Sequence, residues 1–165
     1  MKGSNMEFLQ ELKNLMLNSV LWVPAFSWLL AQLLKFLINL AVNKEASAER
    51  LVGDGGMPSA HSATVMSLAM MTGYVEGFGT TYFAIAMMFA IVVMHDALGV
   101  RRETGKQAVS IIEMAEIIND FIVEKDENIK TEKLKVMVGH TPLQVVCGAI
   151  LGFIVSLVYA LIFVI

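Results

Sequence analysis

Residues 141–165 read TPLQVVCGAILGFIVSLVYALIFVI, without one charged side chain. A helix needs about 20 mostly apolar residues to cross the hydrocarbon of a bilayer, and this stretch supplies them. Toward the N-terminus three more runs follow the same pattern. Residues 80–98 are nearly as apolar and end in HDALGVRR (95–102). Residues 57–75 open on the polar PSAHS (58–62) and turn apolar afterwards. Residues 15–42 carry Pro24, a kink site, and one interior charge, Lys35. The sequence therefore predicts an all-α polytopic membrane helix bundle of about four spans (15–42, 57–75, 80–98 and 141–165) in a single domain.

Composition points the same way. The 165 residues are 56% hydrophobic and 16% charged, with mean hydropathy +0.66, whereas soluble domains carry about 25% charged residues. A net charge of −3, with no basic patch interleaved with aromatics, argues against nucleic acid as a partner. Cys147 is the only cysteine, so neither an internal disulfide nor a thiolate metal cluster is expected. The first run is too long for the core of a cleaved signal peptide, and no small-residue cleavage site follows it.

Four spans divide the cations unequally. One face would hold Lys2 and Lys13. The other, with loop 43–56 and segment 99–140, would hold Lys44, Arg50, Arg101, Arg102, Lys106, Lys125, Lys130, Lys133 and Lys135, nine against two. The positive-inside rule places that basic face in the cytoplasm and both termini outside. Between the third and fourth runs an amphipathic helix is expected over about 104–123. Ala108, Ile111, Ile112, Ala115, Ile118 and Ile122 recur at helical spacing opposite Glu113, Glu116 and Asp120.

Polar residues gather at the same boundary of all four spans. Lys35 lies toward the cytoplasmic end of the first; GDGGMPSAHSA (53–63) opens the second; HDALGVRR closes the third; GHTP (139–142) opens the fourth. An ionisable group in a membrane is costly unless paired or facing water, so such groups mark function by default. The residue types suit an oxyanion. Gly55 and Gly56 permit close backbone approach, and Pro58 fits a first helical turn. The N–H groups and positive dipole end of that helix attract phosphate. Thr141 and Pro142 repeat the arrangement. Arg101 and Arg102 can fork onto phosphate oxygens, and Lys35 adds a point charge. His61 and His140 can act near neutral pH as nucleophile or acid/base.

Each residue also has a purely structural reading. Pro-Ser is a common helix cap, paired arginines anchor topology, and Lys35 can snorkel to the headgroups. A histidine at an interface often only packs. Asp96 can pair with Arg101 or Arg102 for stability alone. Convergence on one face favours function over these separate readings.

The blocks GGMPSAHSA, DALGVRRETGKQA and GHTPLQVVCGAILG resemble a divergent branch of the type 2 phosphatidic acid phosphatase and vanadium haloperoxidase superfamily, over roughly residues 30–155. The resemblance implies a helical phosphatase with a metal-independent phosphate site and no cofactor. The family motif Pro-Ser-Gly-His falls on Pro58, Ser59, Ala60 and His61, which makes His61 the proton donor to the leaving oxygen and Ser59 a phosphate ligand. His140 falls on the nucleophile that forms a phosphohistidine. The pattern departs elsewhere: the orienting Asp falls on Gln144, the Arg on Leu134, and the first motif is incomplete because Val42 follows Lys35 by seven. In this branch Asp96 would orient His140, and Arg101 with Arg102 would replace the missing arginine.

The expected function is therefore an integral-membrane phosphatase acting on a lipid phosphate or lipid pyrophosphate. The catalytic residues would be His61, His140 and Asp96, and the phosphate ligands Lys35, Gly56, Ser59, Arg101 and Arg102. The alternative is a catalytically degenerate anion- or phospholipid-binding membrane protein. A small transporter component is a third reading, disfavoured by the lack of an inverted repeat. The expected partners are the lipid substrate and membrane lipids, and a homodimer is one way to enclose a pocket that so small a bundle leaves open.

Overall fold

The computed structural model describes residues 2–43, 56–99, 107–115, 117 and 141–165. The described residues are helical, joined by short turns. Five helices have defined ends: α1 (Lys2–Met16), α2 (Ser19–Asn43), α3 (Ala60–Glu76), α4 (Thr81–Leu98) and α5 (Pro142–Phe163).

The expected first run, 15–42, is divided. α1 stops at Met16, and Asn18 starts α2 by accepting the backbone N–H groups of Leu21 and Trp22 at 3.1 Å each. A helix end leaves carbonyls without partners, and here the indole Nε1–H of Trp22 reaches back to the Leu15 carbonyl at 3.1 Å. Trp22 thus ties the second helix to the end of the first. In α1 Phe8, Leu9, Leu12, Leu15 and Met16 fall on one side of the helical wheel, with Glu7, Gln10, Glu11 and Asn14 on the other. Residues 6–18 are exposed throughout. The mixed polarity of this stretch conceals a helix that a search for continuous apolar runs passes over. Pro24 lies inside α2 without ending it.

Among the described residues three helices are long and apolar enough to cross a membrane: α2 over Ser19–Ala41, α4, and α5. Most of each faces outward, as lipid-facing surface must. The central element is α3. It packs against α2, α4 and α5, while α2 and α4 stand apart on either side of it. Its 17 residues span about 26 Å at 1.5 Å per residue. Ser62, Ser67, Thr72 and Gly73 lower its hydropathy, yet all are buried, because neighbouring helices rather than lipid cover them.

Small residues let the backbones approach, a common basis of helix association in membranes. Gly148, Gly152, Ser156 and Ala160 recur every four residues along the buried face of α5. A Cβ on Gly148 would overlap the Ser59 carbonyl oxygen, and one on Gly152 the Ala63 carbonyl oxygen. One turn further on, the Ser156 hydroxyl lies 2.7 Å from the Gly152 carbonyl oxygen and 2.9 Å from Ser67 Oγ. Ala31 of α2 packs with Ala60 and Ala63, Leu151 lying against them. On the other flank Val65 and Ala69 pack with Ala86 and Ala90 of α4.

Of the expected amphipathic helix, residues 107–115 and 117 are helical, and Ala108 and Ala115 are buried. Ile111 is exposed, so the inward stripe is narrower than expected. Ile118, Ile122 and Glu116 lie outside the described residues or side chains.

Candidate functional site

The polar corner is built on the inner face of α2. Val23, Ser27, Ala31, Lys35 and Asn39 succeed one another at intervals of four and all are buried. One helical stripe therefore runs from an apolar residue through a serine to a lysine and an asparagine. Lys35 is only 5% exposed. Its stem runs inward rather than along the lipid face, which removes the snorkelling reading. A buried ammonium is retained only where it is paired or hydrogen-bonded, and Lys35 and Asn39 both have such interactions.

Across from Lys35 lies the turn that starts α3. Gly56 has φ +113°, a conformation that L side chains rarely adopt. A Cβ there would lie 3.0 Å from both Cγ and Cδ of Lys35. Glycine thus serves backbone geometry and close approach at once. Met57–Pro58 is a cis peptide bond. Pro58 stands before the helix rather than in its first turn, because Ser59 takes the capping position. Ser59 Oγ accepts the Ser62 backbone N–H at 3.3 Å and the Ser62 hydroxyl at 3.1 Å. A hydroxyl that accepts twice still has its own hydrogen to give. His61 follows two residues later, half-buried in the first turn of α3 and held by an interaction of its own.

The start of α5 meets the same corner. The Ser59 backbone N–H donates to the Gln144 carbonyl at 3.0 Å, directly joining the first turns of two helices. Thr141 caps α5 with Pro142 at its first position, as the sequence suggests. Gln144 completes a capping box: its Oε1 accepts the Thr141 N–H at 2.9 Å, and its own N–H donates to Thr141 Oγ1 at 3.4 Å. His140 immediately precedes Thr141 in the chain but lies outside the described residues, as do Gly55, Arg101, Arg102 and Leu134. Asp96 stands half-buried in the last turn of α4, at the same end of the bundle. That helix meets the opposite flank of α3 from Lys35.

The site as described thus gathers Lys35, Gly56, Ser59 and the first turn bearing His61 against the start of α5. A model of one family covers residues 16–155 of this chain, described as the Divergent PAP2 family. The chain belongs to that family. Its match takes in Lys35, the 53–63 block, Asp96 and His140, and leaves nearly all of α1 outside. An uncharacterized membrane protein of Bacillus subtilis (strain 168), YuiD, is 37% identical over 139 residues, and the match covers 81% of this chain and 88% of that protein. No solved structure matches.

Within this Divergent PAP2 protein several polar residues escaped the sequence reading. Asn39 and Ser62 border the corner, while Ser27 Oγ and Gln32 Oε1 are buried without a hydrogen-bond partner among the described residues. The signal was available: Ser27, Lys35 and Asn39 share one face at multiples of four. In an apolar run the charge of Lys35 stands out, whereas the neutral members of its stripe blend in.

Proposed function

We propose that this membrane protein is a lipid phosphate phosphatase working through a phosphohistidine. A nitrogen of His140 attacks phosphorus in line, forming the P–N bond as the bond to the lipid oxygen breaks. His61 gives its proton to the departing alkoxide. It then takes a proton from water, whose oxygen attacks the phosphohistidine and releases inorganic phosphate and free His140. Lys35, Arg101, Arg102, Ser59 and the N-terminal dipoles of α3 and α5 stabilise the charge on the equatorial oxygens. Asp96 orients His140. No step in this scheme calls for a metal ion.

The observation that supports this reading is the hydrogen bond from Ser59 N–H to the Gln144 carbonyl, 3.0 Å. It joins the turn carrying His61 to the helix that begins directly after His140. Membership of the Divergent PAP2 family supports the kind of chemistry. The charge distribution favours a phosphate held at cytoplasmic headgroup level, with the lipid tail between spans and the termini outside. Substrates made on that side, such as phosphatidic acid or phosphatidylglycerophosphate, then suit the site better than lipid carriers recycled outside. The test is phosphate release by purified protein from a panel of lipid phosphates. Wild type is active and His140→Ala is not; equal release by both defeats the mechanism.

One observation favours the second reading, a binding protein that has lost turnover. Gln144, at the family's acidic position, is committed to capping Thr141. Vanadate that raises the unfolding temperature, with no lipid phosphate hydrolysed, would decide for it.

A further inference from the structure

At the end of the bundle remote from His61, α2 and α4 leave a groove floored by α3. Its volume is about 730 Å³, within the range of sites that bury a small organic ligand. Asn18, Glu76 and Tyr82 mark its polar mouth, while Leu68, Ile85 and Phe89 lie deeper. From Glu76 to Leu68 is two turns of α3, about 12 Å along the axis. The groove therefore runs from headgroup level into the hydrocarbon, and it is amphiphilic in the order that a lipid requires.

The mouth selects by charge. Among the described residues, Glu76 is the only charged one lining the groove. It occupies the last residue of α3, where the helix dipole is negative and a carboxylate is locally unfavourable. The carboxylate and the negative end of α3 favour a cation that can donate hydrogen bonds. The first turns of α2 and α4, at Ser19, Val20 and Tyr82, bring positive helix ends to the same mouth and suit the phosphodiester beside that cation. We infer that the groove binds a phospholipid with a primary-amine headgroup. The ammonium sits at Glu76, and one acyl chain lies between α2 and α4 over Leu68. This site is separate from the phosphate corner, and its existence does not depend on turnover there.

The test is competition between two lipids on the full chain in detergent. Dioleoyl phosphatidylethanolamine and dioleoyl phosphatidylglycerol are added at equal concentration, and retained lipid is counted by native mass spectrometry. Wild type retains one lipid, with about fivefold preference for the ethanolamine form, the scale of a partly exposed charge pair. Glu76→Gln brings the preference close to unity, and Glu76→Lys reverses it. Ile85→Trp, at an exposed position, fills the groove and lowers retention of both lipids. Because Glu76 is an exposed helix-end residue, its variants keep the test open if Ile85→Trp fails to fold. Wild-type preference in Glu76→Lys would overturn the inference. So would unchanged lipid retention in a folded Ile85→Trp that dissociates a dimer, which would make the groove a contact between copies.

Discussion

The side chain of Lys35 lies across Gly56 so closely that Cγ and Cδ are each 3.0 Å from where a β-carbon would stand. Two residues distant in sequence are thus matched, the glycine making room for the lysine's stem. Gly56→Ala places a side chain at φ +113° and pushes that stem aside. The expected result is a loss of about 1 kcal/mol of stability and a fall in phosphate release. Lys35→Met retains most of the stem's volume and removes the charge. Removing one member of a buried pairing leaves the other without its partner, so the unfolding temperature should fall, and in the folded protein turnover should drop about 10²–10³-fold. Thermal unfolding and phosphate release on both variants check this; a Lys35→Met protein with full activity would remove Lys35 from the site.

At Gly148 and Gly152 the seam between α3 and α5 leaves no room for a β-carbon. Gly148→Ala should force the Ser59 carbonyl away, costing about 1–3 kcal/mol as overpacking does, and should lower activity by disturbing the first turn of α3. Gly79 has nothing within 4 Å of its hypothetical Cβ, so Gly79→Ala should leave both properties near wild type. The contrast is read by unfolding temperature and phosphate release.

Ser156 makes its contacts to α3 far along the helix from the polar corner. Ser156→Ala should cost about 0.6 kcal/mol, the average worth of an interhelical hydrogen bond in a membrane protein, and should leave turnover unchanged. Reversible unfolding in mixed micelles measures the first, and steady-state assay the second.

Ser59→Ala removes the cap of α3, for a loss of about 1 kcal/mol. Gln144→Ala removes only the reciprocal half of the α5 capping box. Because the Gln144 amide oxygen is held by the Thr141 N–H, this variant should lose a few tenths of a kcal/mol and retain activity within a factor of a few. A collapse of turnover in Gln144→Ala at unchanged stability would show that the amide acts on the reaction instead.

Much of this architecture is legible from residue pattern. The run 141–165 becomes α5 with Thr141 as its cap, and 80–98 becomes α4, because a charge-free apolar stretch in a membrane has little choice but to pair its backbone internally. The division at residues 17–18 is less visible. Both sides of it are helical, and the joint is fixed by backbone hydrogen bonds around Asn18 and by the Trp22 contact to Leu15. The position of Pro58 depends on a competition that the sequence leaves open, between proline in the first turn and serine as cap; Ser59 takes the cap by accepting from Ser62. The central role of α3 is also hidden, since hydropathy ranks it below α2, α4 and α5 and burial by other helices does not register in hydropathy. Of the expected site, Lys35, Gly56 and Ser59 meet in one corner, whereas the single-residue reading of Lys35 overlooked its stripe partner Asn39.

The most direct test of the account is rapid acid-free quench of the purified protein turning over a lipid substrate labelled at phosphorus, followed by peptide mapping. A base-stable, acid-labile label on the peptide containing His140, absent from His140→Ala, is the predicted result. Sustained hydrolysis with no label on that peptide, and equal turnover by His140→Ala, would contradict it.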